Sequence, residues 1–260
     1  MKIIFYKYQG TGNDFILIDN RELLFSRKNN LLVKKLCDRR FGIGADGLML
    51  LQNKLNYDFE MVYYNADGNE SSMCGNGGRC ISAFAKKLGL VKESVHFHAI
   101  DGAHESIILE DKIRLKMNDV LNIEENENYC FLNTGSPHYV KFVKDVAHFD
   151  VYENGNKIRN SDAFKKEGTN VNFLEKQNEE LFVRTYERGV EDETFSCGTG
   201  VTAAALVAAQ KNIFSNANYC DVKTLGGKLR VYFKKNKDNS FTDIWLEGAA
   251  DFVYKGEINV

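Results

Sequence analysis

The run Cys74-Gly75-Asn76-Gly77 is a glycine-rich turn leading into an alanine-containing helix, and it recurs as Cys197-Gly198-Thr199-Gly200 ahead of Val201-Thr202-Ala203-Ala204-Ala205-Leu206-Val207-Ala208-Ala209. One copy lies in each half of the chain, so the sequence reads as a duplicated architecture with a thiol at the mouth of each half. A chain of 260 residues can hold one large domain or two smaller ones. The repeat favours two.

Outward from the first turn, Lys2–Tyr8 and Asp14–Asp19 read as strands joined through Gly10-Thr11-Gly12-Asn13. A helix is predicted over Leu31–Arg39 behind Asn29 or Asn30 as N-cap. Strands follow at Leu48–Leu51 and Asp58–Tyr64, then the turn Asn65-Ala66-Asp67-Gly68-Asn69-Glu70. The helix after Gly77 is predicted to run over Arg79–Leu88 and stop at Gly89. Val95–Ile100, Glu105–Glu110 and Lys112–Met117 form a meander.

The polar, acidic stretch at 118–128 marks a crossing between halves. The boundary is placed there, giving domains 1–122 and 123–250, with a last strand at about 250–260 able to join the first. The second half repeats the plan: strands near 129–134, 138–144, 171–174 and 181–186, a helix within 149–159, and strands near 219–225, 228–234 and 241–247. The helix Val201–Gln210 is apolar on nearly every face, so sheet is expected to surround it. The fold class is therefore α/β (α+β), with short strands around one central helix per half.

Composition narrows the function. Lys and Arg total 34 against 36 for Asp and Glu, a formal charge of −2. That balance gives no global basic field for nucleic acid or an anionic membrane, so a small-molecule partner is expected. The N-terminal apolar run is interrupted at Lys7, and no stretch approaches the roughly 20 apolar residues of a membrane span. The reading is cytoplasmic. The six cysteines are then reduced thiols, and with no Cys-x2-4-Cys pair no metal site is expected.

A helix start offers unsatisfied N–H groups and a partial positive potential, which favour both a thiolate and a bound carboxylate. A carboxylate held jointly by two such turns would place its α-carbon between the sulfurs. One thiolate could take a proton from one face while the other thiol delivers one to the opposite face, inverting the centre. This scheme requires no cofactor. Helix-start amides would neutralise the charge developing on the carboxylate, and the two sulfurs would titrate as a coupled pair. Cys37, Cys80, Cys130 and Cys220 read as structural. The two turns could also hold a phosphate, although neither matches a nucleotide-binding glycine motif.

Taken together, Gly12-Asn13-Asp14-Phe15, Gly42-Ile43-Gly44-Ala45-Asp46-Gly47, Asn65-Ala66-Asp67-Gly68 through Cys80, Pro137-His138, Asn170-Val171, Glu187-Arg188-Gly189 and Glu193-Thr194 through Gly200 resemble the cofactor-independent diaminopimelate epimerases. The resemblance implies two pseudo-symmetric domains, each a curved mixed sheet around a central helix, with an active site in the cleft between them. It implies interconversion of L,L- and meso-2,6-diaminopimelate, in lysine and peptidoglycan precursor biosynthesis, and a possible homodimer. By position, Cys74 would be the proton donor and Cys197 the proton acceptor, with His138 and Glu187 tuning their protonation. Gly75, Asn76, Gly198 and Thr199 would hold the reacting carboxylate. Asn13, Asn65, Asn170, Glu187 and Arg188 would read the distal amino-acid head.

From the residues alone, His138 reads first as a surface or structural histidine. Two departures from the family pattern stand out: Ser136 precedes Pro137 where Asn is common, and Val190-Glu191-Asp192 makes the following loop one residue longer. The alternatives are a proline or hydroxyproline racemase-type enzyme, whose substrate has no second amino-acid head, and a non-catalytic carboxylate- or phosphate-binding module.

Overall fold

A computed structural model describes residues 2–215 and 218–260. Eighteen strands and four α-helices are found among them, labelled β1 to β18 and α1 to α4 in chain order. They fall into two compact units, Met1–Leu115 with Ala249–Val260, and Lys116–Gly248.

The first unit contains β1 (Lys2–Gly10), β2 (Asn13–Asp19), α1 (Asn30–Cys37), β3 (Gly47–Gln52), β4 (Phe59–Asn65), β5 (Glu70–Ser71), α2 (Gly75–Lys87), β6 (Ser94–Ala99), β7 (Gly102–Ile108), β8 (Ile113–Lys116) and the C-terminal β18 (Asp251–Asn259). Its sheet runs β18, β1, β2, β3, β4, β6, β7, β8. The β2/β3 and β4/β6 pairs are parallel and the others antiparallel. Parallel neighbours need a crossover, and helices supply it: α1 spans β2 to β3 and α2 spans β4 to β6.

The second unit contains β9 (Glu124–Glu125), β10 (Cys130–Asn133), β11 (Pro137–Phe142), α3 (Val151–Arg159), β12 (Asn170–Gln177), β13 (Glu180–Glu187), β14 (Asp192–Thr194), α4 (Gly198–Gln210), β15 (Tyr219–Thr224), β16 (Gly227–Lys235) and β17 (Phe241–Gly248). Its order is β9, β10, β11, β12, β13, β15, β16, β17. The parallel pairs, β11/β12 and β13/β15, are again bridged by helices. The duplication read from two short turns therefore extends to the whole topology. In each unit the sheet wraps a central helix: α2 packs against β1, β2, β3, β7 and β18, and α4 against β10 to β13 and β15 to β17.

Burial explains the wrapping. In α4, Val201 and Ala203 to Ala208 are wholly inaccessible, so all faces meet sheet. Each buried Val or Leu there contributes about 1.5–3 kcal/mol relative to exposure. The peripheral helices are short and rely on caps. Asn29 Oδ1 accepts the Leu32 amide at 3.2 Å, and an Asp150 oxygen accepts the Glu153 amide at 2.9 Å.

Helix α2 begins at Gly75, four residues before the sequence-predicted start at Arg79. It ends as its sequence predicts. Gly89, at φ 73°, donates to Lys86 O, and Leu90 donates to Ala85 O, a pair of bonds that closes a helix through a left-handed residue. The tail read as a possible extra strand is β18, antiparallel to β1 from Lys2↔Asn259 to Gln9↔Asp251. Three short strands had no sequence signal: β9, inside the stretch read as a crossing, pairs with β10, β5 with the end of β4, and β14 with the end of β13. Strands β5 and β14 each lead directly into the cysteine turn of their unit.

Candidate active site

Cys74 and Cys197 are the N-cap residues of α2 and α4, both in extended backbone (φ −100°, ψ 135° and φ −109°, ψ 112°), and neither thiol makes a capping hydrogen bond. Ser or Asp at such a position would usually turn its oxygen onto the first helical amides. Here the amides of Gly75-Asn76-Gly77 and of Gly198-Thr199-Gly200 line helix starts of the kind that bind anions. None of the six cysteines is in a disulfide.

In the first unit the Cys74 thiol donates to Asn13 Oδ1 at 3.6 Å. The Asn13 amide can face only one way, because its Nδ2 donates to Asp46 Oδ2 at 2.6 Å. Asp46 is held in turn by Arg39 at 2.6 Å, and Arg39 also pairs with Asp14 at 2.7 Å. Lys7, almost completely buried, pairs with Asp14 at 2.6 Å and donates to Gly44 O. Burial would push the Asp14 carboxyl up, but hydrogen bonds from Arg39 and Lys7, reinforced by their charges, hold it well below the usual carboxylate range. This charge-balanced network keeps an acceptor oxygen aimed at the thiol. Asn76 Nδ2 donates to the same Asn13 oxygen at 3.4 Å. Asn65 lies exposed at the end of β4, opposite Gly47 in register, where its backbone closes the turn through Gly68 and Asn69.

In the second unit Cys197 is 6% exposed, with its sulfur 3.5 Å from Thr199 Oγ1. Asn170, the first residue of β12, links Ser136 to Arg188. Its Nδ2 donates to Ser136 Oγ at 3.0 Å, and its Oδ1 accepts the Arg188 amide at 2.9 Å. Arg188 Nη2 reaches Ser136 Oγ at 3.4 Å, and its Nη1 donates to Glu167 O at 2.9 Å. Ser136 is therefore the hydroxyl that couples Asn170 to Arg188. Glu187 accepts from Thr194 Oγ1 at 2.9 Å. The longer loop is absorbed by Glu191 at φ 57°, whose carboxylate accepts the Gly189 amide at 3.0 Å, and Asp192 already belongs to β14.

His138 is fully buried on β11. Asn172, unnoticed in the sequence, determines its state. Asn172 Nδ2 donates to Tyr139 O at 3.0 Å and its Oδ1 accepts from Thr185 Oγ1 at 2.9 Å, so its amide nitrogen faces His138 Nδ1 at 3.1 Å. Nδ1 is thus the acceptor and Nε2 carries the proton, with no hydrogen-bond partner among the described residues. Gly200 makes this possible, since a Cβ there would lie 2.3 Å from Asn172 Oδ1. Burial, then the charge of Arg188, pushes the His138 pKa down to about 3 from 6.5. The imidazole is therefore neutral near neutral pH, with Nε2–H as its remaining donor.

A stability prediction follows. Unfolded His138 binds a proton below pH 6.5, whereas the folded form does so only near 3. Between these values the unfolded state holds the extra proton, so this residue's contribution is present above 6.5 and is lost as pH falls, by up to ~1.4 kcal/mol per unit. Urea midpoints should fall less for His138→Leu than for wild type between about pH 7 and about pH 5. Equal losses would contradict the neutral, buried imidazole.

The other four cysteines behave as core. Burial pushes Cys37 and Cys220 up to about 12 and raises Cys80 and Cys130 as well, so all four stay protonated. No group of three or more potential metal ligands occurs among the described residues, and no helix among them is long and apolar enough to cross a membrane.

The chain matches the family model described as diaminopimelate epimerase over residues 5–121 and 130–253. It is 55% identical over 256 residues to a diaminopimelate epimerase of Flavobacterium psychrophilum, covering 97% of this chain and 99% of that one. It is 42% identical over 261 residues to that of Chlorobaculum tepidum, covering 96% and 99%. Among solved structures, a PhzF-family phenazine biosynthesis protein of Bacillus anthracis has a TM-score of 0.78 at 14% identity, covering all of both chains. A hydroxyproline epimerase of Agrobacterium vitis has a TM-score of 0.68 at 11% identity, covering 99% of this chain and 92% of that one. These last two likenesses are of fold. The two sequence relatives and the family model agree over nearly the whole length: this chain belongs to the diaminopimelate epimerase family.

Proposed function

We propose that this protein interconverts L,L-2,6-diaminopimelate and meso-2,6-diaminopimelate by proton transfer at one α-carbon between two thiols, Cys74 and Cys197. The observation that carries the reading is the paired N-cap: two cysteines at the starts of equivalent central helices, neither of which spends its thiol on a capping hydrogen bond. The reacting carboxylate binds the first-turn amides of Gly75, Asn76, Gly198 and Thr199, where charge moving onto its oxygens is met by fixed N–H dipoles. Cys197 removes the α-hydrogen from the L,L isomer and Cys74 delivers a proton to the opposite face. An S–H bond onto Asn13 Oδ1 supports Cys74 as the protonated partner at rest, because that oxygen can only accept.

His138 offers an Nε2–H and Glu187 a carboxylate to the same region. Asn65, Asn170, Glu187 and Arg188 read the distal head, its carboxylate on the guanidinium and its ammonium on Glu187. That second charged head speaks against a proline racemase-type substrate, and the acid–base pair speaks against a simple binding module. The same reading expects a cytoplasmic homodimer serving lysine and peptidoglycan precursor synthesis.

The test is incubation of the reduced protein with L,L-diaminopimelate in D2O, without added cofactor. Meso product carrying one deuterium at the inverted carbon is expected. Absence of exchange under reducing conditions would rule the proposal out.

A further inference from the structure

One charged group near Cys74 has no part in the scheme above. Arg79, in the second turn of α2, is 0% exposed. Its guanidinium donates to four neutral oxygens: Ala249 O at 3.3 Å, Gly75 O at 3.2 Å, Thr11 Oγ1 at 3.2 Å and Asn76 Oδ1 at 3.0 Å. A buried cation is strongly disfavoured unless an anion compensates it, and buried arginines are normally paired. Hydrogen bonding satisfies the donors here and leaves the charge.

The surrounding titratable groups do not neutralise it. Cys74 and Cys80 lie on α2 with it, and burial lowers the arginine's pKa while both sulfurs would raise it. Cys80 faces Tyr8 from β1 and Asp251 from β18, and burial keeps both Cys80 and Tyr8 protonated. Asp251 is exposed and accepts from Gln9. On the side of Asn13, the two cations Lys7 and Arg39 are matched by the two anions Asp14 and Asp46.

The equivalent turn of the second unit lacks the charge. Thr202 occupies the matching place in α4 and returns its hydroxyl to Gly198 O at 3.0 Å, as Arg79 returns Nη1 to Gly75 O. Both helices begin behind an N-cap cysteine that makes no capping bond.

We propose that Arg79 is a positioning residue that makes Cys74 a readier proton donor than burial alone would leave it: its fixed, buried charge stabilises the thiolate left when Cys74 gives up its proton, and its bond to Asn76 Oδ1 turns the Asn76 Nδ2 toward the Asn13 oxygen that accepts the Cys74 thiol. The proposal rests on reading Cys74 as an acid–base thiol, and it breaks the symmetry that duplication would otherwise impose. It assigns the ease with which Cys74 releases its proton to one side chain.

The test reads ionisation directly, so it does not depend on turnover. The reduced, full-length protein is alkylated with iodoacetamide across a pH series, and modification of Cys74 and of Cys197 is followed separately by peptide mass spectrometry. Arg79→Lys keeps the charge and loses the fork; Arg79→Gln keeps donors and loses the charge. Arg79→Gln should raise the Cys74 midpoint by about one pH unit or more, with Arg79→Lys staying near wild type. The Cys197 midpoint should move little in either. Should Arg79→Gln fail to fold, Arg79→Met fills similar volume without charge and must give the same upward shift. Equal shifts in the Lys and neutral variants, or none in any, would overturn the assignment. Failure of the epimerase reading would appear separately, as absent deuterium exchange with the thiol profiles unaffected.

Discussion

Cys74→Ala and Cys197→Ala should each lower epimerase turnover by roughly 10²–10⁴-fold, the range supplied by one positioned acid or base, and the double variant should be scarcely worse than either single one. The reason is that inversion needs both partners at once. A proton removed by one sulfur must be replaced from the opposite face, and either deletion stops the sequence. Contributions of groups acting as a unit do not add. Folding should survive both changes, because a thiol making no cap bond contributes little to its helix. Initial rates from each isomer, with melting curves to confirm folding, check this. Full activity in either single variant would remove that cysteine from the chemistry, and multiplicative losses in the double variant would show that the two act independently.

Arg188→Met should reduce kcat/KM for diaminopimelate by about 2 kcal/mol or more, roughly 30-fold, because a charged hydrogen-bonded partner of the distal carboxylate is lost. The loss should fall mainly on KM, since this contact lies away from the reacting carbon and is much the same in ground and transition states. Lysine supplies the control: it has a distal amine but no distal carboxylate, and its weak binding should be the same in wild type and variant. Stability should change by less than about 0.5 kcal/mol, because Arg188 is exposed and its partners Glu167 O and Ser136 Oγ remain open to water. An unaltered KM for diaminopimelate, or an equal loss of affinity for lysine, would mean that Arg188 does not read the distal carboxylate.

The plan of the fold was legible because duplication and periodicity both report it. Strand runs such as Asp14–Asp19 and the all-apolar helix after Cys197 announce themselves by burial pattern, and Asn29 and Gly89 mark helix ends by chemistry. The start of α2 was hidden because Gly75, Gly77 and Gly78 disfavour helix by intrinsic propensity; close tertiary packing overrides that preference. Strands β5 and β14 are too short to show alternation. Cys74, Cys197, Asn170 and Arg188 were readable as candidates because their motifs are distinctive. Arg79 was not, since an arginine in a helix normally reads as a solvated face. Nor was Asn172, whose pairing with Thr185 and His138 depends on three different strands and a side-chain orientation.

The pairing of β18 with β1 gives the chain an unusual order of assembly during synthesis. A domain built from one continuous segment can fold as soon as it clears the ribosome, and N-terminal domains generally do so first. Here the continuous unit is the second, Lys116–Gly248. The first unit exposes an edge along β1 until β18 is made, so its outermost ladder is closed last, by residues translated after the entire second unit. The nascent protein must carry that open edge through most of its own translation.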